Sequence, residues 1–434
     1  MASFGEQSKN TGPDFPESAY SNMHLGFWQH NPLVGPPFAV NRIEKDGSGV
    51  VMWALSFPAG MAFSDFKPHR QLGDNRALSR KSFLFVDEKG QGSALITPLY
   101  TFGWRGGGGG IRLFKVEDFQ NQEIIFGKSD VSLIEVDVDA TGTGRLLVGH
   151  DIDTKTWECC KTLPLKKVDV VEMTNHKIST THSFDVLLRN QPFIDRTGNG
   201  FAIGIFSSES KETIYAESIE DYTTAERSLV HPQGAANFRV YDTSPPAISW
   251  TVRESERNEL YLGTADSDSA LKVIGPISLA QKMEVETLAF SEPGKGLLVI
   301  EDIENSELQI HSINDYALTQ KHIIPMAPES RASLTSLSLD ETGEGLLVWK
   351  EGYQPQNVMN FMASIFTQNL KDHKPVGEKF TVAEGIIGYM DVGLSEEGLG
   401  LILWSQSGTK ACQSSDCTAE VLGRMVHAYQ PLTR

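Results

Sequence analysis

Leu339-Asp340-Glu341-Thr342-Gly343-Glu344-Gly345-Leu346-Leu347-Val348-Trp349 reads as two short β-strands joined by a glycine turn. An alternating run, Leu334-Thr-Ser-Leu-Ser-Leu-Asp340, leads into it, and three apolar residues and a tryptophan lead out. The Asp side chain accepts from backbone N–H groups two residues on, which tightens the turn. The first glycine takes a φ > 0 position at little cost, and the second lets the next strand begin close to its neighbour. Alternation, turn, then a second apolar run is the signature of a β-hairpin.

The same device recurs along the chain. Copies start at Glu44, Asp87, Asp139, Asp195, Asp242, Ser291, Asp340 and Ser395, in steps of 43 to 56 residues. The fifth copy, Asp242-Thr-Ser-Pro-Pro-Ala247, is degenerate: prolines stand where the others carry glycine. A period near this value predicts a radial array rather than a multi-domain enzyme. Between the turns there is room for four short strands per period. The unit around Ser291 reads as strands over 285–290, 297–300, 308–313 and 322–326, and the unit around Asp340 as strands over 334–340, 346–349, 357–366 and 379–383. No long amphipathic helix is visible. Four short antiparallel strands repeated in this way predict an all-β chain, a single eight-bladed β-propeller, with seven blades as the alternative. The eighth unit supplies three strands, over 390–394, 401–404 and 420–429. A strand over 24–30 is expected to complete that last blade and close the ring, removing free edges. Residues 1–22 read as a polar N-terminal lead and 23–434 as the propeller.

The units resemble the WD40-like repeats of bacterial exported propellers, in which Ser-Pro-Asp-Gly separates two apolar runs. Ser291-Glu-Pro-Gly-Lys-Gly296 and Ser395-Glu-Glu-Gly-Leu-Gly400 match that pattern best, and the resemblance covers roughly 24–430. The Trp-Asp ending of true WD40 repeats and the Asp box of sialidases are both absent. The resemblance implies architecture rather than chemistry.

Composition narrows the partners. The 434 residues carry a net charge of −18, which argues against nucleic acid and against adhesion to anionic membranes. No stretch approaches the roughly 20 apolar residues of a membrane helix. Met1-Ala2-Ser3 could stand in place of a removed leader, which would suit an exported or lipid-anchored protein, periplasmic, outer-membrane-anchored or secreted. Cys412 and Cys417 enclose a short polar loop suited to a small disulfide of an oxidising compartment. Cys159 and Cys160 are adjacent in a strand-like run and point to opposite faces, as packing residues.

Catalytic motifs are missing: there is no Gly-x-Ser-x-Gly, His-Glu-x-x-His or P-loop pattern. The run Gly103-Trp-Arg-Gly-Gly-Gly-Gly-Gly110 lacks the Lys-Ser/Thr of a phosphate cradle and reads as a loop with Trp104 and Arg105 at its tip. His150-Asp151-Ile-Asp153 places an imidazole and two carboxylates at a strand end. Calcium is the metal weighed there, but the remaining ligands of a calcium loop are missing. No metal and no cofactor is therefore expected. Residues 175–183, with His176 and His182, read as a polar link. In a propeller the loops joining strands two to three, and four to one, share a face. That face is expected to gather Trp104, Arg105, His150, Asp151, Asp153, His182, His231 and Tyr353 as a partner-binding surface. The functional expectation is a non-enzymatic, exported propeller that binds a protein or a glycan through this face. A polysaccharide hydrolase or lyase at the channel mouth, and a cytosolic scaffold, are the alternatives.

Overall fold

A computed structural model describes residues 23–28, 38–43, 49–54, 58–64, 67–72, 82–86, 92–96, 111–115, 118–126, 131–138, 141–150, 165–187, 190–208, 211–231, 235–241, 245–253, 258–266, 268–352, 362–394, 399–407 and 419–427. The chain is all-β, of β-propeller type, and built from antiparallel sheets whose strands follow one another in sequence order. It divides into two compact units, one of 1–76 with 326–434 and one of 77–325.

In the first unit, β1 (Met23–Trp28) precedes a four-stranded sheet of β2 (Phe38–Ile43), β3 (Gly49–Ala54), β4 (Pro58–Ser64) and β5 (Lys67–Leu72). The second unit holds five four-stranded sheets. They are β6 (Ser82–Val86), β7 (Gly92–Ile96), β8 (Ile111–Lys115) and β9 (Asp118–Phe126); β10 (Val131–Val138), β11 (Gly144–His150), β12 (Leu165–Thr174) and β13 (Lys177–Leu187); β14 (Gln191–Ile194), β15 (Gly200–Ser208), β16 (Lys211–Glu220) and β17 (Thr223–His231); β18 (Ala235–Tyr241), β19 (Ala247–Arg253), β20 (Asn258–Ala265) and β21 (Leu271–Leu279); β22 (Met283–Glu292), β23 (Lys295–Asp302), β24 (Glu307–Asn314) and β25 (Ala317–Pro325). The first unit then resumes with β26 (Arg331–Leu339), β27 (Gly345–Gly352), β28 (Met362–Lys371), β29 (Lys374–Leu394), β30 (Leu399–Ser407) and β31 (Ala419–His427).

Where eight separate sheets were expected, the described residues form six four-stranded sheets and one seven-stranded sheet. The two expected last sheets share β29, which runs 21 residues without a break. β1 pairs antiparallel with β31 at the end of this sheet. The buried Lys350 donates from Nζ to the carbonyl of Ile387 at 2.6 Å, within β29, and burial lowers its pKa to about 8.

Strand composition follows position. The second strands β23 and β27 are buried along nearly their whole length, and they carry continuous apolar runs because both faces are covered. The outer strand β25 is mostly exposed and polar. In the second unit, buried clusters join each sheet to the next. Leu95 packs with Leu146 and Val148; Leu147 and Val168 pack with Ala202; Phe201 and Ile203 pack with Trp250; Leu260 and Leu262 pack with Leu288 and Leu298.

The repeated turn behaves as its residues dictate. Asp340 Oδ1 accepts from the N–H groups of Thr342 and Glu344, both at 2.9 Å, and Asp195 Oδ1 accepts likewise from Thr197 and Asn199. The second glycine is required by proximity: a Cβ on Gly200 or Gly345 would lie 2.0 Å from the carbonyl oxygen of Phe193 or Ser338. The first glycine has a partner that the sequence reading missed. The turn between strands three and four carries two consecutive φ > 0 residues, at Asn175-His176, Asp221-Tyr222, Asp315-Tyr316 and Asp372-His373. This is the backbone of a tight hairpin turn that matches strand twist. In each pair the second residue donates its N–H to the first glycine of the same unit, at 3.0 to 3.1 Å, and lays its ring over that glycine.

Residues 175–183 are therefore not a polar link. Asn175 and His176 form the hairpin turn, and the remainder belongs to β13.

Candidate functional site

Of the residues expected to form a binding face, His150, His182 and His231 are described. Trp104, Arg105, Asp151, Asp153 and Tyr353 lie outside the described residues, as do Cys159, Cys160, Cys412 and Cys417. His231 ends β17. His150 and His182 belong to one sheet but are not brought together. His150 ends β11, opposite Lys167, and shares a face with Asp169 and Ser183. His182 is one position from Ser183 and so falls on the other face, where it stacks on Tyr222 with ring centroids 4.0 Å apart.

His150 belongs to a compact polar cluster. Its Nε2 lies 2.6 Å from Asp169 Oδ2, while Asp169 Oδ1 accepts from Ser183 Oγ at 2.6 Å and pairs with Lys167 Nζ at 3.2 Å. Burial pushes the Asp169 pKa up, but the hydrogen bonds from Ser183 and Lys167 and the charge and hydrogen bond of His150 outweigh it. The carboxyl is held below its ordinary range. The serine bonds the carboxylate rather than the imidazole, so the cluster does not form a nucleophile–base pair. It ties three strands together.

The concave site of the second unit lies at the turn end of successive sheets. A cavity of about 790 Å³ is lined by residues of β10, β14 and β18, by Arg145 of β11 and Ala265 of β20, and by the turns that follow β14, β18, β20 and β22. Its apolar wall includes Ile134, Phe193, Val240, Pro245, Pro246 and Ala265. Two guanidinium groups stand on it. Arg145 is buried; it donates to the carbonyls of Asp195 and Ile194, the latter at 2.7 Å, and pairs with Glu135 at 3.3 Å. It thereby fastens β11 to the turn of the following sheet. Arg196 is the opposite case: its side chain is 80% exposed, and it pairs with the exposed Asp137 at 3.2 Å.

The carboxylates around the cavity are engaged by the fold. Asp195 Oδ2 accepts from Ser269 Oγ at 3.0 Å, which links one sheet's turn to the next sheet's last hairpin. Burial raises the Asp195 pKa, but the donors Thr197, Asn199 and Ser269 outweigh it and hold the carboxyl low. Asp266 Oδ1 accepts from the N–H groups of Asp268 and Ala270, each at 2.9 Å. Tyr241 completes the wall; its hydroxyl lies 3.0 Å from Ser249 Oγ, and burial raises its pKa.

None of these wall residues was expected to bind a ligand; Asp195, Pro245 and Pro246 were read only as turn residues. The one legible signal was the degenerate fifth turn, whose Pro245 and Pro246 both line the cavity. Among the described residues no helix is long and apolar enough to cross a membrane.

No family model matches the sequence, and neither does any curated protein. Solved structures do. A eukaryotic initiation factor is 11% identical, with 92% of this chain and 92% of that chain covered and a TM-score of 0.47. Prolyl oligopeptidase B from Galerina marginata is 9% identical, with 87% of this chain and 56% of that chain covered and a TM-score of 0.42. A post-proline cleaving enzyme from Rickettsia typhi is 7% identical, with 74% and 50% covered and a TM-score of 0.40. The chain thus spans about half the length of the prolyl peptidases it matches. TM-scores below 0.5 leave the chemistry to be argued from the site. The expectation of a non-enzymatic binder of a protein or glycan is corrected on one finding: the structures matched include prolyl peptidases, one of them a post-proline cleaving enzyme.

Proposed function

We propose that this chain holds a low-molecular-mass ligand in the cavity at the turn end of the 77–325 unit. The ligand has an apolar body and one acidic group. The reading takes the eight turn-bearing units as blades of one propeller, with the site where the repeat is broken. The cavity itself carries the reading: about 790 Å³ falls within the range of small-molecule sites, and its wall combines apolar side chains with a few fixed polar groups. Arg196 supplies the acid-binding group. Its exposed pair with Asp137 contributes little stability, so a ligand anion can replace it at small cost. The nearby Asp195 and Asp266 turn carboxylate oxygens onto backbone donors and do not compete for the guanidinium.

Anilinonaphthalene sulfonate has this chemistry, an aromatic body with one anionic group, and serves as the probe. An equilibrium fluorescence titration of the folded protein is expected to give one saturable site. Arg196→Glu is expected to weaken it about tenfold, the loss of one exposed charge contact and its reversal. Unsaturable binding, or equal affinity in the variant, refutes the reading.

A further inference from the structure

A second cavity, of about 500 Å³, opens toward the start of β18 and differs in chemistry from the first. Its wall is mainly polar, with Met283 and Val285 as its apolar members. Ser249 and Thr251 form a buried floor of hydroxyl groups. Thr251 Oγ1 donates to the carbonyl of Ala236 at 3.2 Å and accepts from Asn237 Nδ2 at 3.2 Å. Asn237 is held at φ +51°, inside a register shift between Ala236 and Arg239. Asn258 and Gln281 add two more amides.

Two opposite charges stand on this wall, Arg239 and Glu284. Arg239 Nη1 donates to the carbonyl of Val285 at 2.6 Å, so its guanidinium is fixed across the gap between two sheets. Glu284 precedes Val285 and stands with Glu286 and Glu301, their carboxylate oxygens within 4.8 Å of one another. A fixed guanidinium suits a carboxylate, which it can bind through two parallel hydrogen bonds. A group of carboxylates suits an ammonium. Amides and hydroxyls suit the polar remainder of a ligand that carries both.

We propose that this cavity binds a zwitterionic small molecule, a free α-amino acid with a polar side chain. Its carboxylate pairs with Arg239, its ammonium with Glu284, and its side chain with the amides and hydroxyls of the floor. The site shares no lining residue with the apolar cavity, although Tyr241 of that cavity bonds Ser249 of this one, and the proposal does not rest on the ligand of the apolar cavity.

L-Glutamine is the probe, since its amide complements the lining amides. Calorimetric titration into the whole protein is expected to show one site. N-acetylglutamine, which lacks the ammonium, and glutamine α-amide, which lacks the carboxylate, are each expected to bind at least about tenfold more weakly. Arg239→Met is expected to abolish the difference between glutamine and its α-amide, and Glu284→Gln to reduce the difference between glutamine and its N-acetyl form. The two analogues test the wild-type protein directly, so a variant that fails to fold leaves the proposal open to refutation. No heat of binding at millimolar glutamine overturns it. So does equal affinity for glutamine and either analogue.

Discussion

Two turns of the 77–325 unit, in adjacent sheets, are built in opposite ways. The turn starting at Asp195 follows the repeat. Asp195 gathers the turn's N–H groups, Gly198 takes φ +84° beneath the Tyr222 ring, and Gly200 brings β15 against Phe193. The turn starting at Asp242 breaks it. Prolines replace the first glycine and the residue after it, and both prolines line the cavity. The sheet with the broken turn also has a carboxylate turn between its last two strands. Asp266, between its last two strands, plays the part that Asp195 plays between the first two of its neighbour. The difference teaches that the repeated turn is architecture, consumed by its own hydrogen bonds. The cavity lies beside the turn in which the repeat fails.

The largest expected contrast is between the turns themselves. Gly200→Ala places a Cβ 2.0 Å from a backbone oxygen, and that collision needs main-chain movement. We expect a loss of about 3 kcal/mol or more, read by urea unfolding. Pro246→Ala in the broken turn is expected to cost under about 1 kcal/mol. Comparable losses would erase the distinction.

Next is the buried guanidinium that ties the regular turn to the preceding sheet. Arg145→Met removes one partner of Glu135 and the donor to two carbonyls, and should cost about 2–3 kcal/mol in the same assay. A loss below about 0.5 kcal/mol would mean that the link between sheets rests on apolar packing alone.

The broken sheet also differs from the seven-stranded sheet in its tryptophan. Trp349 and Trp404 donate from Nε1 to residues two positions on, Glu351 at 3.3 Å and Gln406 at 3.0 Å. Trp250 is fully buried and its Nε1 has no acceptor, because Val252 occupies the matching position. Val252→Gln should supply one and raise stability by about 1 kcal/mol. A fall in melting temperature would show that the sheet does not tolerate the larger polar side chain.

The smallest effect is in acid. Asp195 has a lowered pKa in the fold, so its stabilisation is present above its unfolded pKa and is lost as pH falls through the folded value. Asp195→Asn should therefore lose least, relative to wild type, at the lowest pH where both stay folded. A constant gap across acid pH would place the side chain's contribution in geometry rather than charge.

Much of the architecture was legible because its causes are local. Alternating runs, an acidic residue and two spaced glycines specify a hairpin within ten residues, and β22 to β27 fall where those runs lie. The site was not legible, because its walls come mainly from β10, β14 and β18, far apart in sequence and joined by packing and by side-chain hydrogen bonds between sheets. The same limit explains His150 and His182. Both were visible as polar residues, but the face each occupies depends on a register that places Ser183, and not His182, opposite Asp169. The rings over the glycines escaped notice because Asn-His and Asp-Tyr do not resemble the Asn-Gly of a standard hairpin turn.

The central claim is that the cavity beside the broken turn is the ligand site. Ala265 lies on its wall, partly exposed at the end of β20, and Ala265→Phe fills it from one side. Titrating anilinonaphthalene sulfonate into wild type and this variant, with melting temperatures recorded alongside, tests the claim most directly. The account predicts one bound dye per chain in wild type and none in a variant that melts within a few degrees of it. Equal dye binding by both proteins would contradict it.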